Sequence, residues 1–129
     1  MNEFKFANLK DSGIISLTTY YKSGKGVATP LGYDKKDNKI FMNTRKNSYK
    51  IRRIKNNHQG KIAVSDYRGR IKSPYIEVEI KILEPNEDQE AITVMRYDTK
   101  LSWRYMRFMN KIKFWKKQEE RVFLELTEK

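Results

Sequence analysis

In the segment "IEVEIKIL", residues 76–83, Ile76, Val78, Ile80 and Ile82 alternate with Glu77, Glu79 and Lys81. A period of two sends apolar side chains to one face of an extended chain and charged ones to the other, so this stretch reads as a strand with one wet face. Other stretches join it. "GIISLTTYY" (13–21) is β-branched and aromatic, "KSGK" supplies a Gly-containing turn, and "GVATPLGY" (26–33) follows at hairpin distance. "DKKDN" reads as the next turn and "KIFMNT" (39–44) as a third strand. "KIAVSDY" (61–67) precedes the long extended stretch "RIKSPYIEVEIKILEP" (70–85), and "RVFLELT" (121–127) is a last strand. Six antiparallel strands with strong turn signals predict a mainly β fold, a small closed or nearly closed β-barrel with flanking α-helices, because closure removes exposed sheet edges. A chain of 129 residues suits one such domain across 1–129. Within the second strand, Thr29-Pro30 predicts an edge or a bulge, where a missing N–H does no harm.

Helical spacing begins after the third strand, with Tyr49, Ile51 and Ile54 set among charges. Asn86 is a candidate N-cap for a helix reaching residue 99, with Glu87, Asp88 and Glu90 in its first turn. Ser102 is a candidate cap for another, in which Leu101, Tyr105, Phe108, Met109, Ile112 and Trp115 form an apolar stripe opposite Arg104, Arg107 and Lys111.

Charge narrows the partners. With 28 Lys+Arg against 16 Asp+Glu, the formal charge of +12 favours an anion: a nucleic acid, a membrane surface or a phosphorylated small molecule. The chain has no cysteine, which removes disulfides, thiolate metal sites and a cysteine nucleophile. His58, the only histidine, falls in an expected turn and reads as a solvated loop residue, and no metal-ligand cluster or catalytic triad is visible. Asp66, in "SDYRGR", reads as a turn residue pairing with Arg68 or Arg70, and Trp103 and Trp115 read as packing or dimer-interface residues. The first residues, "MNEFKFANLKDSG", do not have the pattern of a secretory signal, and no run reaches the roughly 20 apolar residues of a membrane span, so a cytoplasmic protein without a membrane span is expected.

The stretch "NTRKNSYKIRRIKN" (43–56) sets cations at the front of a helix, where the backbone dipole is already positive. A bound anion would reverse the sign of that arrangement. Free N–H groups of the first turn, the hydroxyls of Thr44 and Ser48 and the ammonium of Lys50 would then converge on a phosphate. The same residues also fit a plain solvated helix face, and spacing alone leaves both readings open.

"ISLTTYYKSGKGVATPLGY", "FMNTRKNSYKIRRIKNN" and "AVSDYRGR", in that order and spacing between residues 14 and 83, resemble the successive motifs of the pyridoxamine 5'-phosphate oxidase-like split-barrel flavoproteins. The similarity is to the branch that uses the deazaflavin coenzyme F-420 in place of FMN, and "RVFLELT" is similar to the family's closing strand. The resemblance implies a six-stranded antiparallel Greek-key split barrel, homodimeric, with coenzyme F-420 or FMN in a groove between subunits. It places Val27, Ala28, Thr29 and Pro30 along the cofactor, and Thr44, Ser48, Tyr49, Lys50 and Arg53 around its phosphate. Tyr49 stands where FMN-using oxidases tend to carry arginine; Arg45, Arg52 and Arg53 are the candidates to compensate. The turn "NNHQGK" also lacks a proline common in the family.

The function so implied is a flavin- or deazaflavin-dependent oxidoreductase, a reductase working by hydride transfer on a small-molecule substrate, with no specific nucleic acid. In such enzymes the cofactor carries the chemistry and the protein binds and orients, so the lack of an obvious acid or base is expected. The rivals are a basic nucleic-acid or anionic-membrane module built on the helix after Ser102, and a split barrel that holds a cofactor without catalysis.

Overall fold

The computed structural model describes residues 4–95 and 121–129. Six strands, β1 (Ser12–Tyr20), β2 (Gly26–Lys36), β3 (Lys39–Arg45), β4 (Gln59–Val64), β5 (Ile76–Leu83) and β6 (Arg121–Glu128), join in the order β1-β2-β3-β6-β5-β4 and close into an antiparallel barrel. Helix α1 (Tyr49–Asn56) links β3 to β4, and α2 (Gln89–Val94) follows β5. Strands β1, β2 and β3 form a meander, and β4 returns to lie beside β1, which is the Greek-key order.

Alternation along the strands builds two layers of apolar packing. Ile40 and Met42 of β3, Leu124 and Leu126 of β6, and Val78 and Ile80 of β5 fill the interior together with Ile15 and Leu17 of β1. Phe41 and Phe123 point the other way and are covered by Ala91 of α2. Helix α1 sends Ile51 and Ile54 into the interior cluster and so stoppers the barrel. The N-terminal segment adds Phe6 and Leu9 to the same cluster. It is tied down by the Lys35 ammonium, which donates to the Phe6 and Leu9 carbonyls at 2.8 and 2.7 Å, and by the Tyr33 hydroxyl, which donates to the Lys10 carbonyl.

The hydrogen-bonded ring is thin at one place. β1 and β2 pair over nine residues, from Ser12↔Asp34 to Tyr20↔Gly26, but β2 and β3 pair only through Asp34↔Phe41, Lys35↔Ile40 and Lys36↔Lys39. Residues 26–33 of β2 are therefore bonded to β1 alone, while β3 runs on beside β6 from Lys39↔Thr127 to Arg45↔Arg121. Pro30 lies in this single-sided part of β2, the edge its missing N–H predicts.

Several expected boundaries shift. β2 runs through Lys36, and the turn shrinks to Asp37 and Asn38, with Asp37 left-handed at φ 55°. The charged run is extended because Asp34, Lys35 and Lys36 are what closes the ring onto β3. The extended stretch expected over 70–85 is a strand only from Ile76 to Leu83; before it, the Asp66 carboxylate accepts from the Arg68 and Arg70 N–H groups and folds a turn. The helix expected from Asn86 begins later: Glu87 N–H donates to the Glu84 carbonyl and the Glu87 carboxylate accepts from Glu84 N–H, making a turn ahead of α2. Its expected extension to residue 99 and the helix after Ser102, with Trp103, Trp115 and the Arg104, Arg107 and Lys111 side, lie outside the described residues.

Gly60 tests the packing of the closed side. A Cβ there would meet the Thr18 carbonyl oxygen at 2.8 Å and Ile80 Cδ1 at 2.7 Å, so β4 would have to move away from β1. Gly60→Ala is expected to destabilise the fold by roughly 1–3 kcal/mol, the usual cost of overpacking, read as a lower urea midpoint at unchanged slope. An unchanged midpoint would contradict this packing.

Candidate functional site

Where β2 and β3 part, a groove of about 600 Å³ opens. Thr29 and Leu31 line it from β2; Asn43, Thr44 and Arg45 from β3; Asn47 and Ser48 from the loop that follows; Tyr49, Lys50 and Arg53 from α1; and Arg121 from β6. Four cations line this space, and among the described residues no Asp or Glu does.

Each wall has a local cause. β3 ends at Arg45, the chain turns through a Ser48 N–H to Arg45 carbonyl bond of 3.1 Å, and α1 starts at Tyr49 with Ser48 as N-cap. Ser48 has the extended backbone of an N-cap, yet its hydroxyl makes no capping bond to the first turn. That Oγ is buried and has no hydrogen-bond partner among the described residues. The first turn of α1 carries no acidic side chain either, so nothing within it offsets the positive end of the helix.

Arg53 is 7% exposed, unusual for a guanidinium, and no carboxylate pairs with it among the described residues. Its Nε donates to Thr19 Oγ1 at 2.7 Å, and its guanidinium lies over the Tyr21 ring at 5.4 Å. The fork is thus fixed in place from β1 and from the β1–β2 turn. Arg121 donates to Asn43 Oδ1 at 2.7 Å, across the strand pair that also sets Arg45 opposite Arg121. Crowding has an electrostatic signature at Lys50: burial, then the charges of Arg53, Arg45 and Arg121, hold its pKa below the ordinary lysine value.

Of the residues expected at a cofactor, the structure brings Thr29, Thr44, Ser48, Tyr49, Lys50 and Arg53 to one groove. Val27, Ala28 and Pro30 do not line it. Pro30 lies in a second depression with Gly13, Ile14, Gly32 and Tyr67, and Leu31 borders both it and the groove. Of the three candidate arginines, Arg45 and Arg53 reach the groove, whereas Arg52 projects beside Tyr49 toward a neighbouring one. Arg121 and Asn43 were not anticipated. Arg121 is remote in sequence, and only the β3–β6 register, which no local motif carries, brings it here. His58 is exposed and lies away from the groove, and no metal-binding cluster occurs among the described residues.

The arrangement fits a phosphate. A dianion at this end of α1 would accept from free backbone N–H groups and from Lys50, relieve the repulsion among four cations and give the Ser48 hydroxyl a partner.

No protein-family model and no curated protein matches the sequence. Solved structures do match the fold. HutZ, the heme storage protein from Vibrio cholerae, superposes with a TM-score of 0.60 at 13% identity, over 90% of this chain and 81% of that one. A FAD-binding protein from Mesorhizobium loti gives 0.53 at 17% identity, over 90% and 78%. A candidate pyridoxamine 5'-phosphate oxidase from Listeria innocua gives 0.52 at 14% identity, over 90% and 83%. At such identities the likeness is one of fold, and the fold is the split barrel of pyridoxamine 5'-phosphate oxidase-like proteins.

Proposed function

We propose that this chain is an oxidoreductase that binds a flavin or deazaflavin cofactor, FMN or coenzyme F-420, by its phosphate at the N-terminus of α1. The observation that carries the reading is the groove in the barrel split that Arg45, Lys50, Arg53 and Arg121 line together with Ser48, whose buried hydroxyl has no hydrogen-bond partner among the described residues. When bound, the cofactor supplies hydride transfer, the favoured direction being reduction of a small-molecule substrate. The chain's own part is to hold and orient. Lys50 and the backbone N–H groups neutralise the phosphate, Thr44 and Ser48 offer hydroxyls, and Arg53, fixed by Thr19 and Tyr21, sets the direction in which the ligand leaves the helix end. Val27, Ala28 and Pro30, which do not line the phosphate groove, would then border the remainder of the cofactor along β2.

The groove is open, and the depression that adjoins it at Leu31 is bordered by Tyr67, which is 86% exposed. A second copy covering this face would make a homodimer and give the cofactor its other wall. The likeness to a heme storage protein favours, as a second reading, the same barrel holding a cofactor without turnover. Reduction of the bound cofactor and its reoxidation by an added acceptor separates the two.

Three outcomes are expected. Lys50→Ala weakens FMN or F-420 binding about ten- to a hundredfold, the worth of a charge-assisted hydrogen bond of roughly 1.5–3 kcal/mol, with the melting curve preserved; equal affinity in a fluorescence titration would remove Lys50 from the site. Binding also weakens at alkaline pH. Phosphate raises the depressed Lys50 pKa, so affinity is full below the free protein's value and is lost as pH rises through it toward the ordinary 10.5. The decline should disappear in Lys50→Gln, and its persistence there would assign it to another group. Light scattering should give twice the 15.5 kDa chain mass, and a monomer at micromolar concentration would remove the shared groove.

A further inference from the structure

Positions 49, 52, 53 and 56 share one face of α1, and there Tyr49, Arg52, Arg53 and Asn56 meet Tyr21 and Lys22 across a second groove of about 450 Å³. Tyr49 and Arg53 also border the phosphate groove, so the two adjoin along α1. The β1–β2 turn holds Tyr21 in place: its N–H donates to the Lys25 carbonyl and its carbonyl accepts from Gly24 N–H, both at 2.9 Å. Buried Arg53 lies over the Tyr21 ring at 5.4 Å, and exposed Arg52 over the Tyr49 ring at 5.5 Å. Both tyrosines remain accessible, Tyr21 being 46% and Tyr49 74% exposed. Charge on this face has one sign. No Asp or Glu occurs from residue 12 to 33 or from 39 to 65, the two stretches that supply every wall of the groove. Among the described residues no carboxylate pairs with Lys22 or Arg52.

Accessible rings set among cations suit a partner in which flat faces alternate with negative charge. An acidic peptide would meet the cations and leave the rings unused, and a duplex hides its base faces within its own stack. A single strand offers both groups to the groove. We propose that this groove binds single-stranded nucleic acid without sequence preference: bases stack on Tyr21 and Tyr49 while Lys22 and Arg52 pair with backbone phosphates. Stacking is indifferent to base identity because every base has a π-face. The formal charge of +12 adds a long-range attraction that favours a polyanion over a small ligand. The proposal does not rest on the cofactor site, since Tyr21, Lys22 and Arg52 lie outside the phosphate groove.

The test is fluorescence anisotropy of a labelled oligothymidylate of about fifteen nucleotides, within the usual range of single-strand site sizes, titrated with the protein across a salt series. Lys22→Gln combined with Arg52→Gln, both exposed, should lower the log–log salt slope by about 0.7 for each phosphate contact removed. Tyr21→Leu should weaken binding about tenfold at unchanged slope, the signature of a lost stack. Arg68→Gln combined with Lys72→Gln removes the same charge from the exposed β4–β5 connection and should change affinity less than about twofold at physiological salt. The paired charge variants report even where Tyr21→Leu disturbs folding. Equal losses in the two pairs overturn the groove and leave only diffuse attraction to a cationic protein. Duplex or polyglutamate bound as tightly as the single strand overturns the stacking, and no oligothymidylate binding at low salt overturns the inference outright. None of these outcomes bears on FMN or F-420 affinity, so the two sites stand or fall separately.

Discussion

Closure of this barrel depends on three residue pairs. Asp34↔Phe41, Lys35↔Ile40 and Lys36↔Lys39 are the whole seam between β2 and β3, and they are imposed by the two-residue turn at Asp37 and Asn38. A longer seam in the same register would set Gly32 opposite Asn43 and Leu31 opposite Thr44 and fill the space between the strands with a sheet. A shorter one would leave β2 attached to β1 alone and expose the interior leucines and isoleucines to water. The short seam keeps the core dry while the strands diverge above it, and the groove is the divergence. Pro30 reinforces this state, since it has no N–H to offer an approaching strand.

The divergence also decides what the groove can bind. β3 and β6 continue together past the seam, and their register puts Arg45 opposite Arg121 at the open end. Helix α1 then adds Lys50 and Arg53 from the side. Like charges at such spacing repel, and the lowered pKa of Lys50 is the local measure of that repulsion together with burial. A protein gathering charge only for solubility would spread it over the surface. Concentrating it beside the N-terminal end of α1 raises the electrostatic free energy of this end of the groove, a cost that an anion would offset.

Much of this was legible in the sequence because it is local. The alternation of Ile76, Val78 and Ile80 with charges became β5, with Ile76, Val78 and Ile80 buried, and the switch to helical spacing after Asn47 became α1 with Ile51 and Ile54 inside. Thr44, Ser48 and Lys50 meet because a strand end, a turn and a helix start occupy consecutive residues, so their spacing in sequence is their spacing in space. Arg121 was invisible for the opposite reason: it stands 76 positions after Arg45, and only strand register brings them level. Asp34 to Lys36 misled because a run of charges resembles a turn, whereas here the ladder extends a strand through them. Of the expected row Val27, Ala28, Thr29 and Pro30 on β2, Thr29 lines this groove and Pro30 the adjoining depression.

Arg53 ties these features together, and its chemistry explains why an arginine stands there. A buried lysine in its place could shed its proton and remove the charge, but guanidinium stays protonated at any ordinary pH. It also has donors enough for two tasks. Nε is bound to Thr19 on β1, in the closed wall of the barrel, while the group lies over Tyr21 and the side chain lines both the groove and its neighbour. The position of the charge is therefore set by the barrel wall and not by the mobile end of a side chain. Arg53→Lys would preserve the charge and lose the fork, because an ammonium is a point charge on a flexible stem whereas the guanidinium holds a fixed plane.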